Sequence, residues 1–288
     1  MKKFFFLIPV YNDWDSLKEL LKNINMQIQS IKNVEFNCLV INDCSTVVLE
    51  GFKKPNNFNH FKIIDLKKNI GHARCNAVGL RHLVNNEKFD HVIVMDGDGE
   101  DRPEEIRDLL NKSIEFENKS VVARRIKRSE GLFFKLLYEI HKTLTLLFTG
   151  KKIYFGNFSC LTFQDVKVLS NSSTTWSSFS GSIKKNISNL SEIKSIRGIR
   201  YFGPSKMSLF KLVIHSLAIM ASFKFLVLIR SIILLFLTLI LKDFIGFIWI
   251  LIILFLVLFN FLIFLISKRE KIEDLVSAET NISVIKPF

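Results

Sequence analysis

Apolar and polar positions follow two different patterns along this chain. Up to about residue 205, short apolar runs alternate with stretches in which apolar residues return every three or four positions; from Phe223 onward the chain is almost continuously apolar. Residues 4–10 (FFFLIPV) have the pattern of a buried strand. The next stretch reads as a helix with Asp15 as its N-cap and Leu17, Leu20, Leu21 and Ile24 on one face. Residues 35–41 predict a second strand ending in Asn42-Asp43-Cys44-Ser45, and residues 61–66 a third. A loop and helix span Asn69 to Asn85, and a fourth strand over 90–95 ends in Asp96-Gly97-Asp98. Pro103 then opens a helix whose apolar face is Ile106, Leu109 and Leu110. Further along, 120–123 and 153–163 read as strands, 130–148 as a helix and the Ser/Asn/Thr-rich stretch 170–191 as loop. Strands alternating with helices imply a mostly parallel α/β sheet, in which ligands bind at the carboxyl ends of the strands. The polar clusters of this chain occupy those ends.

The later pattern predicts membrane segments. Residues 225–241 and 244–266 would extend about 25 Å and about 34 Å at ~1.5 Å per residue, against a bilayer core of roughly 30 Å. Lys242-Asp243 forms a polar turn between them, with Lys206, Lys211 and Lys224 before the first span and Ser267-Lys268-Arg269 after the second. Positive residues on both outer flanks place both ends of a hairpin in the cytoplasm. Arg230, inside the first span, must snorkel to the headgroups or face a partner or phosphate. Residues 207–222 read as an interfacial helix. The expected organisation is a catalytic domain over 1–205, the interfacial helix over 206–222, a two-helix transmembrane hairpin over 223–267 and a cytosolic tail over 268–288. Met1-Lys2-Lys3 and the run Phe4–Val10 lack the length and the small-residue cleavage site of a leader, and Pro9 breaks the run, so a first strand is expected instead.

Composition narrows the partners. The formal net charge of +13 suits anionic lipid or phosphorylated substrates, and no basic stripe with interleaved aromatics argues for nucleic acid. Cys38, Cys44, Cys75 and Cys160 have no C-x-x-C spacing and read as free thiols in a reducing compartment.

The strongest local signal is Met95-Asp96-Gly97-Asp98-Gly99-Glu100-Asp101-Arg102-Pro103-Glu104. Two carboxylates flanking one residue at a strand end, with Glu100 beside them, supply hard oxygen ligands suited to Mg²⁺ or Mn²⁺ bridging phosphates. A polar loop tip accounts for an isolated D-x-D equally well, and the Gly and Glu spacing does not match a calcium loop.

With Pro9-Val10-Tyr11-Asn12-Asp13, Asn42-Asp43-Cys44-Ser45 and Asn69-Ile70-Gly71-His72-Ala73-Arg74, this segment resembles family 2 glycosyltransferases of the GT-A fold. The Asp96–Glu104 block is most similar to that of dolichol-phosphate mannosyltransferase and bacterial polyprenyl-phosphate glycosyltransferases. The resemblance covers residues 4–167 and resumes at 197–240, where Arg200 to Met207 resembles the R-x-x-G-x-S-K-[YM] motif before the membrane segments. It implies a GT-A, Rossmann-like catalytic domain followed by the interfacial helix and hairpin.

The resemblance also implies roles. Pro9, Tyr11, Asn12, Asn42, Asp43, Gly71, Arg74, Asp96 and Gly97 would form the nucleotide-sugar pocket, and Asp98 and Glu100 would bind the metal. Asp98, Arg125 and Arg128 would carry catalysis, the arginines gripping phosphates. Arg200, Ser205 and Lys206 would meet an acceptor phosphate at the membrane; surface ion pairing and headgroup attraction are the plainer alternatives for these cations. The expected reaction is inverting transfer from a UDP- or GDP-sugar to dolichyl or undecaprenyl phosphate. Transfer to a sugar hydroxyl, or a non-catalytic nucleotide-sugar-binding scaffold, are the rivals. A hairpin this apolar also suits packing against copies of itself, a homo-oligomer. Asn42 and Cys44 depart from the family's D-D-G-S, Glu100 and Arg102 from its Q and first P, and Phe155-Gly156-Asn157-Phe158-Ser159 from its D-x-G-x-F-R.

Overall fold

A computed structural model describes residues 1–127, 132–204 and 208–288, with only the backbone described for 127 and 132–135. Strands β1 (Lys2–Val10), β2 (Val34–Asn42), β3 (Phe61–Leu66) and β4 (His91–Val94) are linked by helices α1 (Trp14–Ile28) and α2 (His72–Asn86). A 3₁₀ turn at Pro103–Glu105 leads into α3 (Ile106–Glu115), then β5 (Ser120–Lys127), α4 (Leu132–Thr149) and β6 (Phe155–Thr162). Helices α5 (Phe163–Ser170) and α6 (Phe179–Asn186) precede β7 (Leu190–Ile196).

These strands and one further strand form a single sheet in the order β7-β5-β6-β4-β1-β2-β3-β8, with β8 at Ile282–Pro287. β1 pairs in parallel with β2 and β4, β2 with β3 and β5 with β7, while β6 and β8 run antiparallel to their neighbours. The sheet is therefore α/β and mostly parallel. β1, at its centre, is buried from Phe4 to Val10 because helices cover both faces. Phe4, Phe6 and Ile8 enter one core with α1 and α3; Phe5 and Leu7 enter the other with α2, α5 and α6.

Two local expectations are corrected. Asp13, not Asp15, is the N-cap of α1, and its carboxylate accepts from Ser16 Oγ at 2.8 Å. The 170–191 stretch is not loop: it holds a 3₁₀ turn at Ser173–Trp176, then α6 and the start of β7. Buried hydroxyls hold it together, Thr174 and Thr175 meeting Ser182 at 2.9 and 2.7 Å.

After the sheet come α7 (Leu209–Ala221), α8 (Lys224–Ile240), the single turn α9 (Lys242–Ile245) and α10 (Ile248–Ser267). Among the described residues one helix, Ile248–Val276 counted through its final turns, is long and apolar enough to cross a membrane; α7 and α8 reach that length only together, bent by 88°. Met220, Val227, Leu256, Phe259 and Ile263 pack these helices around Phe148 of α4. Arg230 turns to α4, donating to the Leu147 carbonyl at 3.1 Å, rather than only reaching outward. The segment expected as a plain tail forms α11 (Ile272–Val276) and a 3₁₀ turn, then returns to the sheet as β8.

Candidate active site

The turns leaving β1, β2 and β3 brace one another at one end of the sheet. Asn12, at φ 51°, accepts from the amides of Thr46 at 2.8 Å and Val47 at 3.1 Å, and its own amide donates to Ser45 Oγ at 2.8 Å. Asn42 donates from Nδ2 to Asp65 Oδ1 at 2.7 Å, which leaves its Oδ1 to accept from the Ser45 amide at 3.0 Å. The Asp43 carboxylate accepts from the amides of Ile70 at 2.7 Å and Gly71 at 2.9 Å. Burial raises the Asp43 pKa against the lowering pull of those amides. Gly71 holds φ 91° and ψ 156°, a conformation strained for any residue with a Cβ, and it feeds directly into α2. Pro9 is buried in β1, whereas Tyr11 is 41% exposed and stands at the surface of this region. A cavity of about 670 Å³ opens beside these turns, lined among others by Asn12, Asp13, Trp14, Val47 and Phe202.

The acidic segment after β4 is threaded with cations. Asp96 Oδ1 lies 2.8 Å from His72 Nε2 and accepts from Asn157 Nδ2 at 3.0 Å. Burial pushes the Asp96 carboxyl up, but His72, Arg125 and Asn157 outweigh it and hold it well below the carboxylate range. For His72, burial pulls down and the neighbouring carboxylates, Asp96 first, outweigh it, so its pKa is raised. Asp98 accepts from Arg200 Nη1 at 2.8 Å and from the Glu100 amide at 3.0 Å. Burial, with repulsion from Asp96 and Glu100, still pushes Asp98 up to about 6. Glu100 pairs with Arg197, and Arg200 also pairs with Asp13. Asp101 is buried beneath, accepting from the Asp96 amide at 2.9 Å and from Arg125 Nη2 at 3.4 Å. Burial and then Asp96 raise it to about 7.

The structure thus brings Asn12, Asn42, Asp43, Gly71, Asp96, Gly97, Asp98, Glu100, Arg125 and Arg200 to one end of the sheet. Arg74 is turned aside: its guanidinium lies 5.4 Å from the centre of the Trp176 ring. Arg200, expected toward the membrane, is engaged by Asp98 and Asp13 instead. Arg128, Ser205 and Lys206 lie outside the described residues. Sequence reading passed over Asp13, Asp65, His72, Asp101, Asn157 and Arg197 as site residues. Most of these fall inside or next to the motifs themselves. Arg197 is signalled only by lying one helical turn's length before Arg200.

Asp98 and Glu100 fit a hard divalent cation in donor type, and the Asp98 carboxyl, pushed up first by burial and then by Asp96 and Glu100, stands among like charges that such a cation would offset. They do not fit in number, because no group of three or more His, Cys, Asp or Glu side chains is poised around a common point among the described residues. A cation here would complete its shell with phosphate or water oxygens.

A mostly parallel α/β sheet with braced turns at its carboxyl end and a D-x-D after the fourth strand defines the GT-A-like class of glycosyltransferases. The chain belongs to glycosyl transferase family 2, whose model matches residues 5–173. Mannosyl-3-phosphoglycerate synthase from Rubrobacter xylanophilus shares the fold at a TM-score of 0.56 and 14% identity, over 77% of this chain and 72% of that one. Glucosyl-3-phosphoglycerate synthase from Mycobacterium tuberculosis, solved with Mn²⁺, UDP and phosphoglyceric acid, gives 0.52 and 11% over 77% of each chain. S. aureus TarS gives 0.51 and 18% over 84% of this chain and 44% of that one. The chain spans 59% of a shorter TarS structure, residues 1–349. At these identities the likeness is one of fold.

Proposed function

We propose that this enzyme transfers a sugar from a nucleoside diphosphate to a polyprenyl phosphate at a membrane surface. The observation that carries the reading is the route of the chain. The segment Arg197–Arg200 pairs with Glu100 and Asp98, and a few residues later the chain enters α7 and the apolar α8 and α10. The acidic centre is therefore tied to the part of the molecule that meets lipid.

Those helices suit a bilayer rather than water. Phe225, Phe236, Leu254 and Val257 are all more than 55% exposed, a density of large apolar surface that soluble proteins avoid. Connectivity supports an even number of crossings. The chain leaves the sheet at β7 and returns to it at β8, so the number of crossings between them is even. If α10 crosses, α8 crosses back, which makes a hairpin with both termini on the side of the catalytic domain. The basic flanks support a cytoplasmic location for that side.

In this reading Asn12, Asn42 and Asp43 shape the pocket for the donor's base and ribose, with Tyr11 at its rim. Asp96, held ionised and oriented by His72 and Asn157, meets the ribose or phosphates. Asp98 and Glu100 would hold Mg²⁺ or Mn²⁺, which when bound offsets the charge of the diphosphate. Arg125 lends positive charge from behind through Asp101. An acceptor phosphate oxygen attacks the anomeric carbon, a new C–O bond forms with inversion, and the bond to the nucleoside diphosphate breaks with its electron pair leaving on the β-phosphate. A phosphate monoester is already mostly dianionic at neutral pH, its second pKa being about 6, so no general base is needed. The arginines around Asp98 are then available to exchange carboxylate for phosphate oxygens.

The test is the full chain in lipid nanodiscs with Mg²⁺ or Mn²⁺, a panel of labelled UDP- and GDP-sugars, and dolichyl or undecaprenyl phosphate. Label extracted into the organic phase with one donor is the expected result. Label found only on a glycan hydroxyl, or only as hydrolysed sugar, overturns the acceptor assignment.

A further inference from the structure

The sheet ends on a strand made from the last residues of the chain, and that strand reaches the turns of the donor pocket. β8 runs antiparallel to β3, with Ile63 opposite Lys286 and Asp65 opposite Val284. Lys286 Nζ lies 2.6 Å from Asp65 Oδ2, while the other oxygen of the same carboxylate accepts from Asn42 at 2.7 Å. Because Asn42 gives its Nδ2 to Asp65, its Oδ1 is turned to the Ser45 amide at 3.0 Å. Ser45 Oγ in turn takes the Asn12 amide at 2.8 Å. A second route runs through Lys67, whose amide and Nζ donate to the carbonyls of Asn281 at 2.8 Å and Thr280 at 2.7 Å. The Lys67 carbonyl accepts from Cys44 Sγ at 3.6 Å, and Cys44 holds φ 58°. Both routes converge on residues 42–46.

We propose that the C-terminal strand is a functional brace of the donor pocket, in which Lys286, acting through Asp65, is a positioning residue for Asn42 and the turn that follows it. The proposal rests on the reading of this turn as part of the nucleotide pocket. In that pocket the amide of Asn42 stands where the resemblance expects an aspartate. An amide can present either its oxygen or its nitrogen, and the Asp65 carboxylate selects one orientation by accepting from Nδ2. Lys286 neutralises Asp65 on its far side, so the carboxylate stays shared between the two partners. The strand does not depend on Lys286 for its attachment. Leu275 and Ala278 are buried in the core against α2, the Phe288 amide donates to the Phe61 carbonyl at 3.0 Å, and the Phe288 ring packs 5.0 Å from Phe52. Loss of the lysine therefore releases Asp65 and Asn42 while leaving β8 docked.

The experiment titrates UDP and GDP, and then the donor sugar, against the full chain in detergent micelles carrying Lys286→Met, Lys286→Arg or Asp65→Val. Lys286→Met and Asp65→Val are expected to weaken nucleotide binding and raise donor KM by about tenfold, the size of a lost charged hydrogen bond, with kcat within about twofold. Lys286→Arg restores binding to near that of the parent. A fall in melting temperature and kcat with donor KM unchanged marks a merely structural strand and overturns the proposal, as does Lys286→Arg behaving like Lys286→Met. Failure of the unaltered chain to bind either nucleotide overturns the donor-pocket reading itself, which separates the two failures.

Discussion

Arg200 Nη1 stands 2.8 Å from Asp98 Oδ2, so one guanidinium joins the D-x-D turn to a segment 102 residues later in the chain. The same guanidinium pairs with Asp13 and donates from Nε to the Phe202 carbonyl at 2.9 Å. A cation bound by Asp98 must compete with Arg200 for a carboxylate oxygen, and a bound donor must supply what Arg200 gives up. Arg200→Gln is therefore expected to tighten Mn²⁺ binding in the absence of nucleotide, at least about threefold, while slowing transfer by about 10²-fold. Paramagnetic resonance of free Mn²⁺ reads the first and a lipid-extraction assay the second. Unchanged Mn²⁺ affinity would remove Asp98 from the metal shell.

The segment carrying Arg197 and Arg200 can lie against the acidic turn only because residue 198 has no side chain. The Gly198 amide donates to the Glu100 carbonyl at 2.8 Å, and a Cβ on Gly198 would stand 2.8 Å from the Gly99 carbonyl oxygen. That neighbour is backbone and cannot rotate away. Gly198→Ala should cost about 1–3 kcal/mol and displace both arginines. The checks are the melting temperature and transfer rate of the variant, with transfer falling further than stability alone explains.

Much of this was legible in the sequence, and the exceptions have physical causes. Of the four strands of the central parallel sheet, β1, β4 and the second half of β2 are runs of consecutive apolar residues, which only a two-sided burial tolerates, while Lys62 and Asp65 interrupt β3. The polar ends of the strands mark the site. β8 was not legible, because Ile282–Pro287 is a short run, ends in proline and lies on an exposed edge; its partner is decided by where the apolar helices α8 and α10 return the chain. α6 was hidden because its cohesion comes from Ser and Thr hydroxyls and from Phe179 and Ile183 alone, too few for a helical period. For Arg200 the sequence revealed a cation shortly before the apolar segments but not its partners, since Asp13 and Asp98 approach it from the turns after other strands.

The parity of the chain path gives a topology experiment. With β7 and β8 in one sheet, the turn around Asp243 is expected on the face of the membrane opposite to residue 277. Asp243→Cys and Ser277→Cys, each in a background lacking the native thiols, should react with an impermeant maleimide from opposite sides of sealed vesicles. Labelling of both from one side would mean that α8 and α10 lie on the membrane without crossing it.

Arg230 stabilises the junction between α4 and α8. Its Nη1 donates to Leu147 at 3.1 Å, within the last turn of α4, where unpaired carbonyls concentrate negative charge. Gly150, at φ 68°, ends that helix in left-handed geometry beside the guanidinium. Arg230→Leu is expected to cost about 1 kcal/mol while retaining most transfer activity. Lys in its place should recover part of the loss. Thermal unfolding in detergent measures both, and a loss of transfer without loss of stability would instead place Arg230 on the acceptor.

Acid sensitivity should trace in part to His91. Its ring stacks on Phe4 at 4.7 Å with 10° between planes, it is buried, and neither ring nitrogen has a hydrogen-bond partner. Burial first, and the Lys2 cation second, pull its pKa down to about 4 from the ordinary 6.5. The folded state therefore refuses a proton that the unfolded chain accepts. The sign follows: this contribution is complete above pH 6.5, is lost as pH falls toward 4, and changes no further once both states are protonated. Its full size is about 3 kcal/mol, of which about 2 kcal/mol is lost between pH 7.5 and 5. His91→Leu removes the titrating group, so denaturant unfolding of the variant at those two pH values should show a smaller drop than the parent by about that amount, whatever its stability at pH 7.5. Equal drops in the two proteins would show that His91 carries no part of the acid sensitivity.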